Sequence, residues 1–187
     1  MSYPDLYIAR HGQTEWNLQR RMQGALDAPL TELGKTQAHQ LNAIFKTLPP
    51  AKSYLTSPQL RAVHTAAIAL AGIAPEITTD TRLREIGVGD WQGMETDQLK
   101  ASVTEPLTHM LHYYDHAPNG ETFAGLRLRC SEFLDTLTGP TVLITHGITS
   151  RMLRLIALDQ GTDQLSDLPG GQGIVFHVKD GVQKILS

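Results

Sequence analysis

The sequence predicts an α/β fold, a three-layer α/β/α sandwich whose mostly parallel sheet carries an antiparallel edge strand. Short apolar segments rich in strand formers alternate with longer segments of helical periodicity, the order expected of parallel strands between helical layers. The last two strand-like segments are separated only by Lys179-Asp180-Gly181, which indicates a hairpin. Of the 187 residues, 41% are hydrophobic and 19% are charged, so residues 1–187 are predicted to form a single domain.

The first strand and helix are clearly patterned. Residues 6–10 (LYIAR) are predicted to form a buried strand that ends near Gly12. Thr31 is then expected to cap a helix whose apolar positions recur at helical spacing through Phe45. The pair Pro49-Pro50 ends this helix, because proline cannot continue a helical hydrogen-bond pattern.

The second strand and helix follow the same order. Residues 53–56 (SYLT) are predicted to form a strand. Ser57 is expected to cap the next helix, with Pro58 in its first position and Gly72 closing it. A third short strand is expected over residues 76–79.

The second half is predicted with uneven clarity. Residues 96–116 are weakly patterned and indicate one or two helices, whereas the apolar residues of the following segment recur at helical spacing. The remaining predicted elements are a helix over residues 123–137, a strand over 141–145, a helix over 148–158, and hairpin strands over 174–178 and 182–186.

Composition excludes several classes of protein. The formal net charge of −3 argues against a nucleic-acid partner, which usually requires a basic surface. The single cysteine, Cys130, excludes an internal disulfide framework and is expected to be a core residue. No apolar run is long enough to cross a membrane, and the first residues resemble a strand rather than a signal peptide. A cytoplasmic location is predicted, with neither nucleic acid nor membrane as a partner.

Two predicted strands end in histidine. LYIARHG places His11 after the first strand, and VLITHG places His146 after a later one. Ligands of open α/β sheets bind at the carboxyl ends of strands, so the two imidazoles are expected to meet there. The glycine after each histidine, Gly12 or Gly147, lets the backbone turn and approach a ligand. The helix that begins after His146 directs its first amides to the same edge, which favours an anion.

Two arginines indicate which anion binds. Arg10 directly precedes His11, and a buried arginine requires an anion to stay stable. Arg61 lies in the first turns of the helix after the second strand, near the same edge. Two arginines, two histidines and a helix N-terminus favour phosphate over carboxylate.

These residues lie in segments that resemble the histidine phosphatase superfamily, which includes phosphoglycerate mutases and broad phosphomonoesterases. The family's SPLxRAxxTA segment is matched with Gln59 in place of the usual leucine, and its PxGES segment with Thr122 in place of serine. The similar segments, in family order, are RHGQTEWN (residues 10–17), QGALDAPLTELGKTQA (23–38), SPQLRAVHTA (57–66), LREIGVGDWQG (83–93), PNGET (118–122) and THG (145–147).

The resemblance implies a phosphoryl-transfer mechanism without metal or cofactor. His11 is then the nucleophile that forms a phosphohistidine, which water hydrolyses. The non-bridging phosphate oxygens are expected to lie among cationic and amide groups that neutralise their charge. These groups are Arg10, Asn17, Gln23, Gly24, Arg61, His146 and Gly147.

Glu85 is the implied general acid, which protonates the leaving alkoxide and then acts as a base toward water. On chemistry alone, Glu15, Asp27 and Asp90 compete with it equally. Trp91 is near Glu85 in sequence and could lower the local dielectric, although a packing role is the simpler interpretation.

Other interpretations stay open at this stage. A phosphoglycerate mutase would use the same phosphohistidine, although the short chain between Glu85 and Pro118 leaves little material to cover the pocket. A non-catalytic phosphate-binding protein and a metallohydrolase are the alternatives from other classes. The substrate is expected to be a small phosphorylated metabolite, such as a sugar phosphate, a phosphoglycerate, a nucleotide-like phosphate or ribazole phosphate. A homodimer is expected from family precedent.

The segment before Pro118 carries a histidine cluster. His109, His112 and His116 would share one face of a helix, where Asp115 could join them as a metal ligand. A solvated face or a cover over the pocket is the simpler interpretation. Tyr113 and Tyr114 are then expected on the substrate side.

Overall fold

The computed structural model describes residues 3–102 and 109–187. Within these ranges, six strands form one sheet in the order β3-β2-β4-β1-β5-β6. The strands are β1 (Leu6–Arg10), β2 (Ser53–Thr56), β3 (Thr78–Thr79), β4 (Thr141–Thr145), β5 (Val175–Lys179) and β6 (Val182–Leu186).

Strand pairing confirms the predicted sheet. The pairs β1–β4, β4–β2 and β2–β3 are parallel, whereas β5 pairs antiparallel with both β1 and β6. β4 lies between β1 and β2 in the sheet, so the connection from β1 to β2 skips one strand position, which β4 occupies. The carboxyl ends of β1 and β4 therefore lie side by side at one edge of the sheet.

Helices cover both faces of the sheet. Leu6 and Ile8 of β1 pack in one apolar core, and Tyr7 and Ala9 pack in another on the opposite face. The first core includes side chains of α5 and α6, and the second those of α2 and α3. The fold is therefore a three-layer sandwich. The helices of the described ranges are α1 (Glu15–Leu18), α2 (Glu32–Phe45), α3 (Leu60–Ala69), α4 (Thr96–Ser102), α5 (Phe123–Leu134) and α6 (Gly147–Ala157).

Most of the predicted elements are present, and the differences lie at their ends. α3 begins at Leu60 with Gln59 in the capping position, so the prediction that Ser57 caps it is wrong. The Ser57 side chain instead points into the site described below, and the carboxylate of Asp27 accepts the first amides of α3. β3 has two residues rather than four, and α5 ends at Leu134 rather than continuing through Leu137.

In the weakly patterned region, α4 confirms one of the predicted helices, and the second helical segment is of a different type. Met110–His116 form a 3₁₀ helix, in which the Nδ1 atom of His109 accepts the Leu111 amide. The shared metal-binding face predicted for an α-helix is therefore not formed, and no group of three or more metal-ligating side chains occurs within residues 3–102 and 109–187. Residues 103–108, in the middle of the predicted helices, lie outside the described residues.

Two further predictions concern burial and membrane insertion. Cys130 of α5 is fully buried, and this burial raises the pKa of its thiol to about 12, so the prediction of a core cysteine is confirmed. In the described part of the chain, none of the helices has the length and apolar character needed to cross a bilayer.

Candidate active site

The two predicted histidines meet at the carboxyl edge of the sheet. Arg10 at the end of β1 is in register with Thr145 at the end of β4, so the next residue of each strand leaves the sheet at the same level. The ring centroids of His11 and His146 are 5.1 Å apart, and the rings are inclined by 61°. Both side chains are buried.

The proton of His11 is fixed on one nitrogen. Nδ1 lies 2.7 Å from the carbonyl oxygen of Gly12, and a carbonyl only accepts, so Nδ1 carries the hydrogen. The other nitrogen, Nε2, then keeps a free lone pair. Burial, followed by the nearby charges of Arg10 and Arg61, holds the pKa of His11 well below its ordinary value, so the imidazole is neutral at neutral pH.

His146 has the opposite arrangement. The Nε–H group of Arg61 donates to Nδ1 at 3.2 Å, and Nε2 then donates its hydrogen to the Ser57 hydroxyl at 2.8 Å. Burial and the charge of Arg61 lower the pKa of this imidazole well below its ordinary value. Both ring nitrogens therefore have partners, and His146 can reach a phosphoryl oxygen only by sharing or exchanging its bond to Ser57.

Arg61 is held by the loop that follows Gln23. Its Nη1 group donates to the Leu26 carbonyl at 2.7 Å and to Asp27 at 2.9 Å, and its Nη2 group donates to the Gly24 carbonyl at 2.9 Å. Four of its five N–H donors are used in this way, counting the bond to His146, and one stays available. Asp27 is thus the counter-ion of a buried arginine, which removes it from competition with Glu85 for the acid role.

Arg10 has a different environment. It makes no ion pair with any described residue, and its buried Nε atom has no hydrogen-bond partner. Its guanidinium packs on Gly147, where an added Cβ would lie 3.5 Å from the Arg10 Cζ atom. A half-buried cation with an unpartnered donor is favourable when an external anion completes its hydrogen bonds.

Glu85 lies on the N-terminus of α6. One carboxylate oxygen accepts the Ile148 amide at 3.1 Å, and the other accepts the Thr149 amide and hydroxyl, each at 3.0 Å. Two of the helix amides that were expected to face a bound phosphate, those of Ile148 and Thr149, are therefore bound by a protein carboxylate. This arrangement fixes Glu85 beside Gly147 and the two histidines.

An ion pair from α5 supports the Glu85 segment. Glu121 contacts Arg129 at 2.6 Å, and both side chains are largely buried. Glu121 also accepts the Gly87 amide at 3.3 Å, and Arg129 donates to the Arg82 carbonyl at 2.6 Å. The backbone is thus held on both sides of Glu85.

The predicted phosphate-binding amides are arranged around Thr14. The backbone amide of Thr14 donates to the Asn17 Oδ1 atom at 3.1 Å, which leaves the Nδ2 group of Asn17 available as a donor. Gln23 donates its Nε2 group to the Thr14 hydroxyl at 2.8 Å, and its buried Oε1 atom has no partner. The carbonyl of Gly24 is bound by Arg61, as described above.

The two adjacent tyrosines have different positions. Tyr113 is buried and lies next to Trp91, with ring centroids 6.4 Å apart, so its predicted place on the substrate side is wrong. Tyr114 lies within electrostatic range of Glu85 and Arg10, and its burial raises the pKa of its phenol to about 12. Tyr114 is therefore a neutral hydroxyl group beside the site.

Comparison with known proteins identifies the family. The sequence profile of the histidine phosphatase superfamily (branch 1) matches residues 6–180. The chain belongs to the histidine phosphatase superfamily. The prediction of this family is thereby confirmed, and the phosphatases among the relatives described next confirm that of a phosphatase enzyme.

Individual members of the superfamily resemble the chain over most of its length. Glucosyl-3-phosphoglycerate phosphatase of Mycobacterium tuberculosis is 40% identical over 159 residues, covering 76% of this chain and 70% of the relative. Phosphoglycerate mutase-like protein 4 of Arabidopsis thaliana is 29% identical over 162 residues, covering 82% of this chain and 70% of the relative. YhfR of Bacillus stearothermophilus superimposes with a TM-score of 0.81 at 33% identity, covering 97% and 95%. A mycobacterial glucosyl-3-phosphoglycerate phosphatase in complex with VO₃ superimposes with a TM-score of 0.80 at 29% sequence identity, covering 98% of this chain and 96% of that one.

Sequence reasoning assigned neither Ser57 nor Thr149 to this site. Ser57 was assigned to a helix cap, because a serine before a proline is a strong local signal for a helix start. Thr149 follows the histidine motif but was not considered. Both bind through tertiary contacts that local patterns do not encode, although Ser57 lies within one of the family segments.

Proposed function

We propose that this histidine phosphatase is a metal-independent phosphomonoesterase that hydrolyses a small phosphorylated metabolite through a phosphohistidine on His11. The observation that carries the proposal is the fixed neutral tautomer of His11, which leaves the Nε2 lone pair free on a ring that lies near Arg10, Arg61 and His146. Cationic and N–H groups around a neutral nucleophile favour attack on a phosphate dianion.

The first step transfers the phosphoryl group to the enzyme. The Nε2 lone pair of His11 forms a bond to phosphorus while the bond from phosphorus to the ester oxygen breaks. Glu85, protonated at this stage, gives its proton to the departing alkoxide. Arg10 and Arg61 stabilise the negative charge that spreads over the non-bridging oxygens.

The second step restores the enzyme. Water attacks the phosphorus atom of the phosphohistidine, and the carboxylate of Glu85 accepts a proton from that water. The bond from phosphorus to Nε2 breaks and its electron pair returns to His11. Inorganic phosphate leaves, and the imidazole is again neutral with its hydrogen on Nδ1.

The substrate proposal extends to phosphorylated sugars and sugar acids. It is supported by the similarity to glucosyl-3-phosphoglycerate phosphatase, which covers most of the chain. A phosphate-release screen should therefore include glucosyl-3-phosphoglycerate, phosphoglycerates, sugar phosphates, nucleotide-like phosphates and ribazole phosphate. The cytoplasmic location and the homodimer stay predictions.

Hydrolysis of p-nitrophenyl phosphate in excess chelator tests the proposed reaction. We expect phosphate release to continue without added metal, and the His11→Ala variant to lose about 10³-fold or more of the rate because it lacks the nucleophile. The matched control is His64→Ala, which removes an exposed histidine of α3 and should keep full activity. Chelator-sensitive activity restored by one metal would contradict metal independence, and an active His11→Ala enzyme would contradict the nucleophile.

A phosphoglycerate mutase is the second candidate, supported by the similarity to phosphoglycerate mutase-like protein 4. A mutase must return the phosphoryl group to bound substrate before water reaches it. Isomerisation of 3-phosphoglycerate, measured with and without a bisphosphorylated primer, separates the two activities. Primer-dependent isomerisation faster than phosphate release would favour the mutase.

A further inference from the structure

Gln59 occupies the position at which the family segment usually carries leucine, and its side chain contributes polar atoms to the active site. The residue directly precedes α3 and is 9% exposed. Its carboxamide lies between the segment that carries Glu85 and the loop that carries Gly24. A buried carboxamide is stable only if its donor and its acceptor both find partners.

Both of those partners belong to the site. The Oε1 atom of Gln59 accepts the backbone amide of Glu85 at 2.8 Å. Its Nε2 group donates to the carbonyl of Gly24 at 2.7 Å. One side chain therefore connects the backbone of the proposed acid directly to the loop predicted to bind phosphate.

A third contact extends the connection to His146. The backbone amide of Gln59 donates to the Ser57 hydroxyl at 3.3 Å, and that hydroxyl lies 3.4 Å from the Oε1 atom of Gln59. The same hydroxyl accepts the Nε2–H group of His146 at 2.8 Å. Gln59 thus links the acid, the phosphate-binding loop and the second histidine.

We propose that Gln59 is a positioning residue, which holds the Glu85 acid at a fixed distance from the phosphate bound near Gly24. The inference rests on the proposed function, because it assigns a role within that reaction. Leucine can neither accept the Glu85 amide nor donate to the Gly24 carbonyl. The connection is therefore a property of this chain and not of the usual family segment.

The dependence of the rate on the leaving group separates positioning of the acid from general damage. Acid catalysis matters most for esters whose leaving group is a strong base, and least for p-nitrophenyl phosphate. The test is to measure kcat/KM for a series of aryl phosphates, from p-nitrophenyl to p-methoxyphenyl phosphate, in the wild-type protein, Gln59→Leu and Gln59→Met. Leucine is the usual family residue, and methionine matches the length of glutamine, so at least one of these variants should fold.

The expected result is a steeper dependence on leaving-group basicity in both variants. Loss of the Glu85 contact should lower kcat/KM about three- to tenfold for p-methoxyphenyl phosphate and less than about twofold for p-nitrophenyl phosphate. Glu85→Gln is the positive control and should steepen the dependence further. Gln183→Leu is the matched control, because it removes a glutamine of β6 whose side chain accepts from Arg154 of α6. Its dependence on leaving-group basicity should equal that of the wild type.

Two results would overturn the inference, and they are distinguishable. If folded Gln59 variants lose activity equally on all esters, or lose none, Gln59 does not position the acid. If the wild-type protein releases no phosphate from any ester, the proposed function fails and the inference fails with it. Thermal unfolding of each variant identifies those that are folded.

Discussion

His11 and His146 carry their hydrogens on opposite ring nitrogens, and each tautomer is fixed by a partner that cannot reverse its role. The Gly12 carbonyl only accepts, so Nδ1 of His11 donates; the Arg61 guanidinium only donates, so Nδ1 of His146 accepts. Burial and the adjacent arginines lower the pKa of both rings, which keeps both neutral. His11, the proposed nucleophile, therefore needs no separate base to free its Nε2 lone pair.

The pH dependence of stability tests this neutrality. Because the pKa of His11 is lowered in the folded protein, the unfolded chain binds the extra proton once the pH falls below about 6.5. Stability is then fully present above that pH and falls as the pH decreases, by about 1.4 kcal/mol per pH unit for each such histidine.

Urea unfolding of the wild type and of His11→Asn at several pH values from about 7.5 to about 5 measures the effect. The variant should show a shallower loss of stability, and His64→Asn should serve as the control for replacing a surface histidine. Equal slopes in the wild type and in His11→Asn would show that His11 does not stay neutral in the folded state.

Local sequence signals predicted individual residues unevenly. The duplicated histidine motifs placed His11 and His146 correctly, because a residue that directly follows a buried strand has little freedom of position. The bonding of His146 could not be predicted, because its partners Ser57 and Arg61 come from a distant part of the chain. Gln59 stood out only as a departure from the family segment, and its contacts appear only in the folded chain.

At the scale of elements, the Glu85 segment depends on its neighbours. It lies between short 3₁₀ turns, Thr81–Leu83 and Gly89–Trp91, which supply little regular hydrogen bonding of their own. The ion pair of Glu121 and Arg129 holds it against α5. The PNGET motif placed Glu121 in a segment similar to one of the family, but its partner Arg129 lies eight residues further along the chain and was not predicted.

Breaking this ion pair should destabilise the protein strongly. The side chains of Arg129 and Glu121 are only 10% and 18% exposed, so Arg129→Met leaves a buried carboxylate without its partner. We expect a loss of about 3–5 kcal/mol in the free energy of unfolding. The double variant Glu121→Gln, Arg129→Met should recover part of that loss, because no unpaired charge is left. Additive losses in the double-mutant cycle would contradict the coupling.

Among the elements themselves, clear patterns gave accurate boundaries. β1, β2, β4 and the capped helix α2 were predicted closely, because their apolar periodicity and capping residues agree with their tertiary burial. The start of α3 was misplaced, because the Ser57 side chain binds His146 instead of capping the helix.

At the scale of the whole molecule, the site depends on close packing between its first loop and α2. An added Cβ at Gly12 would lie 2.2 Å from the Gly34 carbonyl oxygen, and one at Gly34 would lie 2.1 Å from that of Gln13. The loop after His11 therefore rests directly on the backbone of α2. The adjacency of β1 and β4 could be expected from the paired motifs, but this packing joins distant segments and has no local signal.

Gly34→Ala tests that packing. The added methyl group must displace the loop from α2, so we expect a loss of about 1–3 kcal/mol in stability together with a lower kcat on every ester. Gly125→Ala in α5 is the matched control: its Cβ would meet only ordinary contacts of 3.6 Å, and the change should be neutral or stabilising. Unchanged stability and activity in Gly34→Ala would refute the role of this contact.

The crystal structure of the protein soaked with orthovanadate tests the central claim most directly. Vanadate accepts a fifth ligand in the way that phosphorus does during transfer, so it reports the attacking atom. The account predicts vanadium bonded to the Nε2 atom of His11, with its oxygens contacting Arg10 and Arg61. Vanadate bound elsewhere, or bound to a different side chain, would contradict the assignment of His11 as the nucleophile.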